Sequence, residues 1–221
     1  KMGKLIVIEG LDGSGKSTQL DILVNSLKQL RYNCTSVSFP DYNSNSSALV
    51  KMYLSGEFGQ NPGDVNAYAS SLFYAVDRYA SFKKDWEDFY CAGGTVICGR
   101  YVTSNAVHQA SKLRKDDRAV FFEWLYDLEY NKVGIPKPDL VVFLDMPIDV
   151  SQKMLCGRYN GDDLKKDIHE RDISYLNECR EAALFAANYS GWKIVNCAKD
   201  GLPKTIDDIA AEILELVKKV L

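Results

Sequence analysis

The sequence predicts an α/β fold, a five-stranded parallel sheet with helices on both faces. Three observations predict it. Gly10-Leu11-Asp12-Gly13-Ser14-Gly15-Lys16-Ser17 matches the phosphate-gripping pattern G-x-x-x-x-G-K-[ST]. That pattern lies between a continuously apolar run, Leu5-Ile6-Val7-Ile8, and a segment with Leu20, Leu23, Val24 and Leu27 at helical spacing. Four further short runs, rich in β-branched residues, recur along the chain and alternate with helical patterns.

In chain order, Leu5–Ile8 reads as a strand buried on both faces and Ser17–Leu30 as the helix that follows the glycine loop. Thr35–Phe39 is the second strand, and a long helical stretch covers about Asp64 to Tyr90. Thr95–Cys98, Leu140–Leu144 and Lys193–Cys197 supply strands three to five, and Ile206 to Val220 closes the chain as an amphipathic helix. There is no internal repeat, low-complexity segment or linker, so one domain over residues 1–221 is expected. Gly157 to Glu170 stands apart as polar and charge-crowded, and reads as a mobile cover of about residues 153–170. A solvated surface excursion fits the same composition.

The bulk numbers exclude several classes. A net charge of −3 argues against a general nucleic-acid or membrane surface, so any anion site is local. Six scattered cysteines without a C-x-x-C pair indicate a reducing, cytoplasmic compartment, with Cys98 and Cys197 as packing residues. No apolar stretch reaches membrane-spanning length, and the chain is expected to enter its fold directly, Lys1 before Met2 being set aside.

The glycine loop carries the first chemistry. Gly10, Gly13, Ser14 and Gly15 let successive backbone N–H groups turn inward, and the helix beginning through Ser17 and Thr18 adds its positive end. Lys16 supplies a charge for the β- and γ-phosphates, and the Ser17 hydroxyl can ligate Mg²⁺. A nucleoside triphosphate is the implied ligand.

In open α/β sheets ligands lie beyond the carboxyl ends of the strands. Phe39-Pro40-Asp41-Tyr42 follows the second strand there, and Gly99-Arg100-Tyr101 follows the third, leading into Thr103 to Gln109. Arg, Tyr, Asn, His and Gln on one rim suit a second substrate that is anionic and aromatic.

Taken together, these residues resemble the thymidylate kinase family across essentially the whole chain. The resemblance rests on Asp12 inside the phosphate loop, Phe39-Pro40, Tyr74 with Arg78, Arg100-Tyr101 with Ser104-Asn105, and Pro136 to Asp139 before the fourth strand. It implies a nucleoside-monophosphate-kinase fold with a lid, ATP as donor, Mg²⁺ as cofactor, dTMP as acceptor and a homodimer. An apolar face around Tyr68, Leu72 and Ala75 could serve the dimer, though it equally fits packing on the chain's own sheet. By the same resemblance Tyr74 stacks on thymine, and Arg78 reaches the base carbonyl or the phosphate. Arg100 grips the acceptor phosphate with its planar fork, and Ser104 and Asn105 read the base edge. Phe39, Pro40 and Tyr42 border the acceptor, with His108 near the sugar or purely structural, and Gln109 as a further candidate. Asp12 accepts from the 3′-hydroxyl or orients metal-bound water. With small residues at Gly13 and Ser14, catalytic charge on the γ-phosphate is expected from Arg158, helped by Lys165, Lys166 and Arg171.

Two positions depart from the family pattern. Gly99 stands where an Asp is usual, so Glu9 or Asp12 is expected to take over part of the metal role. Tyr42 stands where some relatives carry a phosphate-binding arginine, which shifts the phosphate grip toward Arg100. A kinase for another nucleoside monophosphate or a deoxynucleoside, and a nucleotide-binding module impaired by Gly99, are the alternatives. A switch GTPase is disfavoured because no N-K-x-D segment is present.

Overall fold

A computed structural model describes residues 2–158 and 173–221, with the side chains of 155–158 left out. Strands β1 (Lys4–Gly10), β2 (Cys34–Ser38), β3 (Thr95–Gly99), β4 (Leu140–Asp145) and β5 (Lys193–Asn196) form one sheet in the order β2-β3-β1-β4-β5, every pairing parallel. The helices are α1 (Lys16–Gln29), α2 (Ala48–Leu54), α3 (Ala67–Ser81), α4 (Glu87–Cys91), α5 (Val102–His108), α6 (Arg118–Tyr126), α7 (Ile148–Arg158), α8 (Ile173–Ser190) and α9 (Ile206–Lys218). All five expected strands are present within a residue or two of their bounds.

Strand periodicity divides the core in two. On β1, Leu5 and Val7 point into one layer with Phe82, Trp86, Phe121, Phe122 and the alanine face of α8. Ile6 and Ile8 point into the other, against Leu23, Val24 and Leu27 of α1 and Ile209, Ile213 and Val217 of α9. Each layer excludes water from one face of the sheet, which is why β1, β3 and β4 read as unbroken apolar runs. Cys98 and Cys197 are fully buried packing residues, as expected.

The long helix differs from the expectation in one respect. Between α3 and α4 the chain makes a π-helical turn at Phe82–Trp86, and a second one, Asp127–Val133, extends α6. Phe82, Trp86 and Tyr90 nonetheless stay on the core side. A two-stranded hairpin, Ala198–Lys199 with Leu202–Pro203, had no sequence counterpart in the expectation. Among the described residues no helix is long and apolar enough to cross a membrane.

Register places the site. Ile8, Gly99 and Ser38 are level across β1, β3 and β2, so the glycine loop, Arg100 and Phe39 leave the sheet side by side.

Candidate active site

A cavity of about 400 Å³ opens at this carboxyl edge. Asp12, Lys16 and Ser17 line one end of it, and Phe39, Pro40, Tyr53, Tyr74, Asn105 and Gln109 line the rest, with Arg100 and His108 also on its wall.

The glycine loop is built for close backbone approach. A Cβ on Gly10 would lie 2.6 Å from Ser14 Oγ, and Gly13 and Gly15 hold φ of 77° and 85°. Gly15 caps α1, whose positive end faces the loop. Lys16 Nζ donates to the Leu11 carbonyl at 2.8 Å and lies 3.7 Å from Asp12 Oδ1. Burial, and then the charge of Arg100, lower the Lys16 pKa to about 8, partly offset by Asp12. The Ser14 hydroxyl is buried with no hydrogen-bond partner among the described residues. Thr18 is exposed on α1 outside the cavity lining.

Arg100 is the hinge of the site. Its φ of 63° is a left-handed conformation rare for a side chain of this size, and it turns the chain sharply off β3. The guanidinium donates to Asp12 Oδ1 at 2.5 Å and to His108 Nε2 at 3.0 Å. Because a guanidinium only donates, Nε2 is the accepting nitrogen and the His108 proton sits on Nδ1, which faces Cys179 Sγ at 3.6 Å. His108 thus holds Arg100 as well as lining the cavity. Burial opposes the Arg100 charge, but Asp12 and then Glu9 outweigh it and raise the pKa.

At the aromatic end, Tyr74 is set edge-on to Tyr53 at 6.5 Å, and burial raises both phenol pKa values. Phe39 is buried, Pro40 is partly so, and Tyr42 is exposed at the mouth.

Several of the expected ligand groups already have partners within the protein. Arg78 borders the cavity, but its side chain is only 2% exposed and grips Glu129 through Nε at 2.7 Å and NH2 at 2.5 Å. NH1 donates to the Tyr101 carbonyl, leaving two of five N–H groups for a ligand. Ser104 donates to Glu9 Oε2 at 2.7 Å, so toward the cavity it offers only an accepting oxygen.

Glu9, expected to share the metal role, is held inside the protein. It is fully buried, outside the cavity lining, and its carboxylate receives Gly10 N–H, Thr103 Oγ1 and Ser104 Oγ. It fastens β1 to the start of α5, a role the adjacent Thr103-Ser104 hydroxyls could have signalled. Asp12 is engaged by Arg100, and Asp145, at the end of β4, by a two-point contact with Arg180 at 2.7 and 2.8 Å. No group of three or more His, Cys, Asp or Glu suited to a metal occurs among the described residues. The donor set therefore fits a hard cation brought in with a polyphosphate, with Ser17 Oγ as the protein ligand.

Sequence reasoning missed Tyr53, Leu54 and Tyr175 on the cavity wall, and Glu129 and Lys112 behind it. The Arg158 side chain and all of Lys165, Lys166 and Arg171, expected in the cover, lie outside the described residues.

A family model described as thymidylate kinase matches residues 8–209. The chain belongs to the thymidylate kinase family. A thymidylate kinase of Mycobacterium tuberculosis is 30% identical over 202 residues, covering 89% of this chain and 92% of that protein. One from Caenorhabditis elegans is 30% identical over 210 residues, covering 90% of this chain and 85% of its own. In three dimensions the fold is similar to a thymidylate kinase of Candida albicans, with a TM-score of 0.72 at 22% identity over 99% of this chain and 92% of that one.

Proposed function

We propose that this chain transfers the γ-phosphoryl group of ATP to dTMP, giving dTDP and ADP. The observation that carries the reading is one cavity lined by Asp12, Lys16 and Ser17 of the glycine loop and by the aromatic residues Phe39, Tyr53 and Tyr74, with Arg100 on the same wall. Family membership supplies the reaction class.

In this reading the backbone N–H groups of Gly13 and Gly15, with Lys16, hold the ATP phosphates, and Thr18 extends that end of α1. Asp12 keeps Arg100 beside the loop. Arg100 binds the dTMP phosphate, Tyr74 stacks on the base, and Asn105, Gln109 and one edge of Arg78 face its polar rim. Mg²⁺, held by Ser17 and the phosphates, would supply charge neutralisation on the transferring group. The acceptor oxygen is already anionic near neutral pH, so no strong base is needed, and catalysis is alignment plus charge. Arg158, in a lid of about residues 153–170 on a single domain, is assigned to the γ-phosphate, with Lys165, Lys166 and Arg171 as helpers.

A homodimer belongs to the same proposal. Tyr68, Leu72, Val76 and Tyr79 form an exposed apolar stripe on α3, while Ala75 turns into the core. A reducing, cytoplasmic setting accords with five described cysteines that are free thiols. A coupled assay with ATP, Mg²⁺ and the four common deoxynucleoside monophosphates tests the function. ADP release with dTMP well above the others is expected, and none with dTMP refutes it.

A further inference from the structure

A second cavity, of about 470 Å³, lies toward the amino edge of the sheet and shares no lining residue with the first. It is bordered by Leu140 and Lys193, the first residues of β4 and β5, and reaches inward to Thr103 on α5. The end of α8 at Ser190 and the π turn that extends α6 contribute to its walls. The first turn of α5 stands between the two cavities: Thr103 lines this one, and Ser104 and Asn105 line the other.

Its walls are rich in rings. Tyr126 and Tyr130 stack with centroids 5.5 Å apart and planes 18° from parallel, and Tyr189 and Trp192 add two more aromatic side chains. Leu140, Val141 and Val220 add aliphatic surface. Walls of this kind suit a flat apolar body. The solvent side carries charge of one sign. Asp139 is already held by Lys4 Nζ at 2.7 Å and by the Leu5 N–H at 2.9 Å. Lys137 and Lys193 are exposed, line the cavity and have no ion partner among the described residues. Inside, the Thr103 hydroxyl donates to Glu9 and burial keeps the Tyr130 phenol neutral, so no second charge is set against the lysines there.

We propose that this cavity is a second ligand site, for a flat aromatic molecule bearing one anionic group such as a carboxylate. The rings of the ligand pack against the aromatic walls, and its charge is met by Lys137 and Lys193. A neutral or cationic molecule of the same shape fills the same space without that partner, so charge decides between them. The site stands apart from the phosphoryl-transfer centre and does not depend on the proposed reaction.

The test titrates naphthoate into the full chain with the first cavity saturated by dTMP and a non-hydrolysable ATP analogue. Nuclear magnetic resonance follows the Trp192 indole N–H, assigned by its loss in Trp192→Phe. That signal should shift with a dissociation constant below about 1 mM, an ordinary strength for a ligand of this size. The neutral carboxamide and the cationic naphthylmethylamine should each bind at least about fivefold more weakly. Lys137→Glu/Lys193→Glu, at two exposed positions where folding is not at stake, should weaken naphthoate by at least about fivefold. Val220→Trp, which adds bulk to the lining, should weaken it by a similar factor or abolish it. No saturable shift up to about 5 mM overturns the proposal, as do equal binding of naphthylmethylamine and unchanged binding in either variant. A shift seen only when dTMP and the ATP analogue are left out would place the probe in the first cavity and overturn it too.

Discussion

Arg78→Met isolates what the pocket's buried ion pair contributes. The two side chains are 2% and 0% exposed and meet at two points, 2.7 and 2.5 Å. Burial alone would lower the Arg78 pKa, but the charge and hydrogen bonds of Glu129 outweigh it and raise it. Removing the arginine leaves a buried carboxylate with Asn105 as its remaining side-chain donor. Breaking a buried pair from one side costs about 3–5 kcal/mol, because the surviving charge stays desolvated and unpaired. In a chain of this size each kcal/mol moves the melting temperature by about 2–4 °C, so Arg78→Met should melt roughly 6–20 °C lower. The double variant Arg78→Met/Glu129→Leu removes both desolvation penalties and should recover much of that loss. Scanning calorimetry of the single and double variants closes the cycle. The two sites should couple strongly, so the double variant must melt higher than the sum of the singles predicts. An Arg78→Met variant melting within about 2 °C of the unaltered protein, or simple additivity, would refute the argument.

Three further outcomes follow from the site. Lys16→Ala and Arg100→Ala should each lower turnover at least about 100-fold, roughly 3 kcal/mol in the barrier, and near-normal rates in a steady-state assay would contradict their placement. Gly99→Asp should fold, because a Cβ there meets Ser38 Oγ at 3.2 Å and needs only a small shift. It is expected to lower the Mg²⁺ concentration needed for half-maximal rate, and an unchanged Mg²⁺ titration would show that the absent carboxylate is immaterial. Lys16, with its pKa lowered to about 8, is mostly neutral in the protein alone at pH 8.5, whereas bound polyphosphate favours the charged form. ATP binding at that pH should therefore take up a proton, seen as a buffer-dependent heat, and binding at pH 6.5 should draw none through Lys16. Equal uptake at both values would place the lysine away from the phosphates.

Local signals made the scaffold readable. The order of apolar run, glycine loop and helical spacing set β1 and α1 almost to the residue, because each of those patterns is dictated by near neighbours. The π turn at Phe82–Trp86 left no trace of that kind, since Phe82, Trp86 and Tyr90 keep the i, i+4 spacing of an unbroken helix. The polar layer was the least legible part. Arg78 finds Glu129 51 residues away, and Lys112 reaches Ser70 across 42, so no spacing rule links them. In sequence, a buried glutamate inside a helical stretch reads as one more solvated charge. Glu9 was illegible for the same reason: a carboxylate at a strand's end suggests a ligand, and nothing near it in sequence announces the Thr103 and Ser104 hydroxyls that reach it.

These contacts also show how Arg100 is held beside Gly99. Arg100 needs an anionic partner to be held where β3 ends, and here the glycine loop supplies it through Asp12, which also faces Lys16. The loop and the arginine are thereby tied through one carboxylate, and His108 fixes the other side of the fork. The positions of the glycine loop and of the Arg100 guanidinium are consequently coupled: a shift of Asp12 moves both. A neutral isostere, Asp12→Asn, would keep the shape of that tie and remove its charge. The Arg100 charge would then lose its main stabilising neighbour, and Lys16 would lose the partner that offsets the repulsion from Arg100. The two cations are kept close by an anion of their own, and substrate phosphates approaching from either end add to an arrangement already set for negative charge.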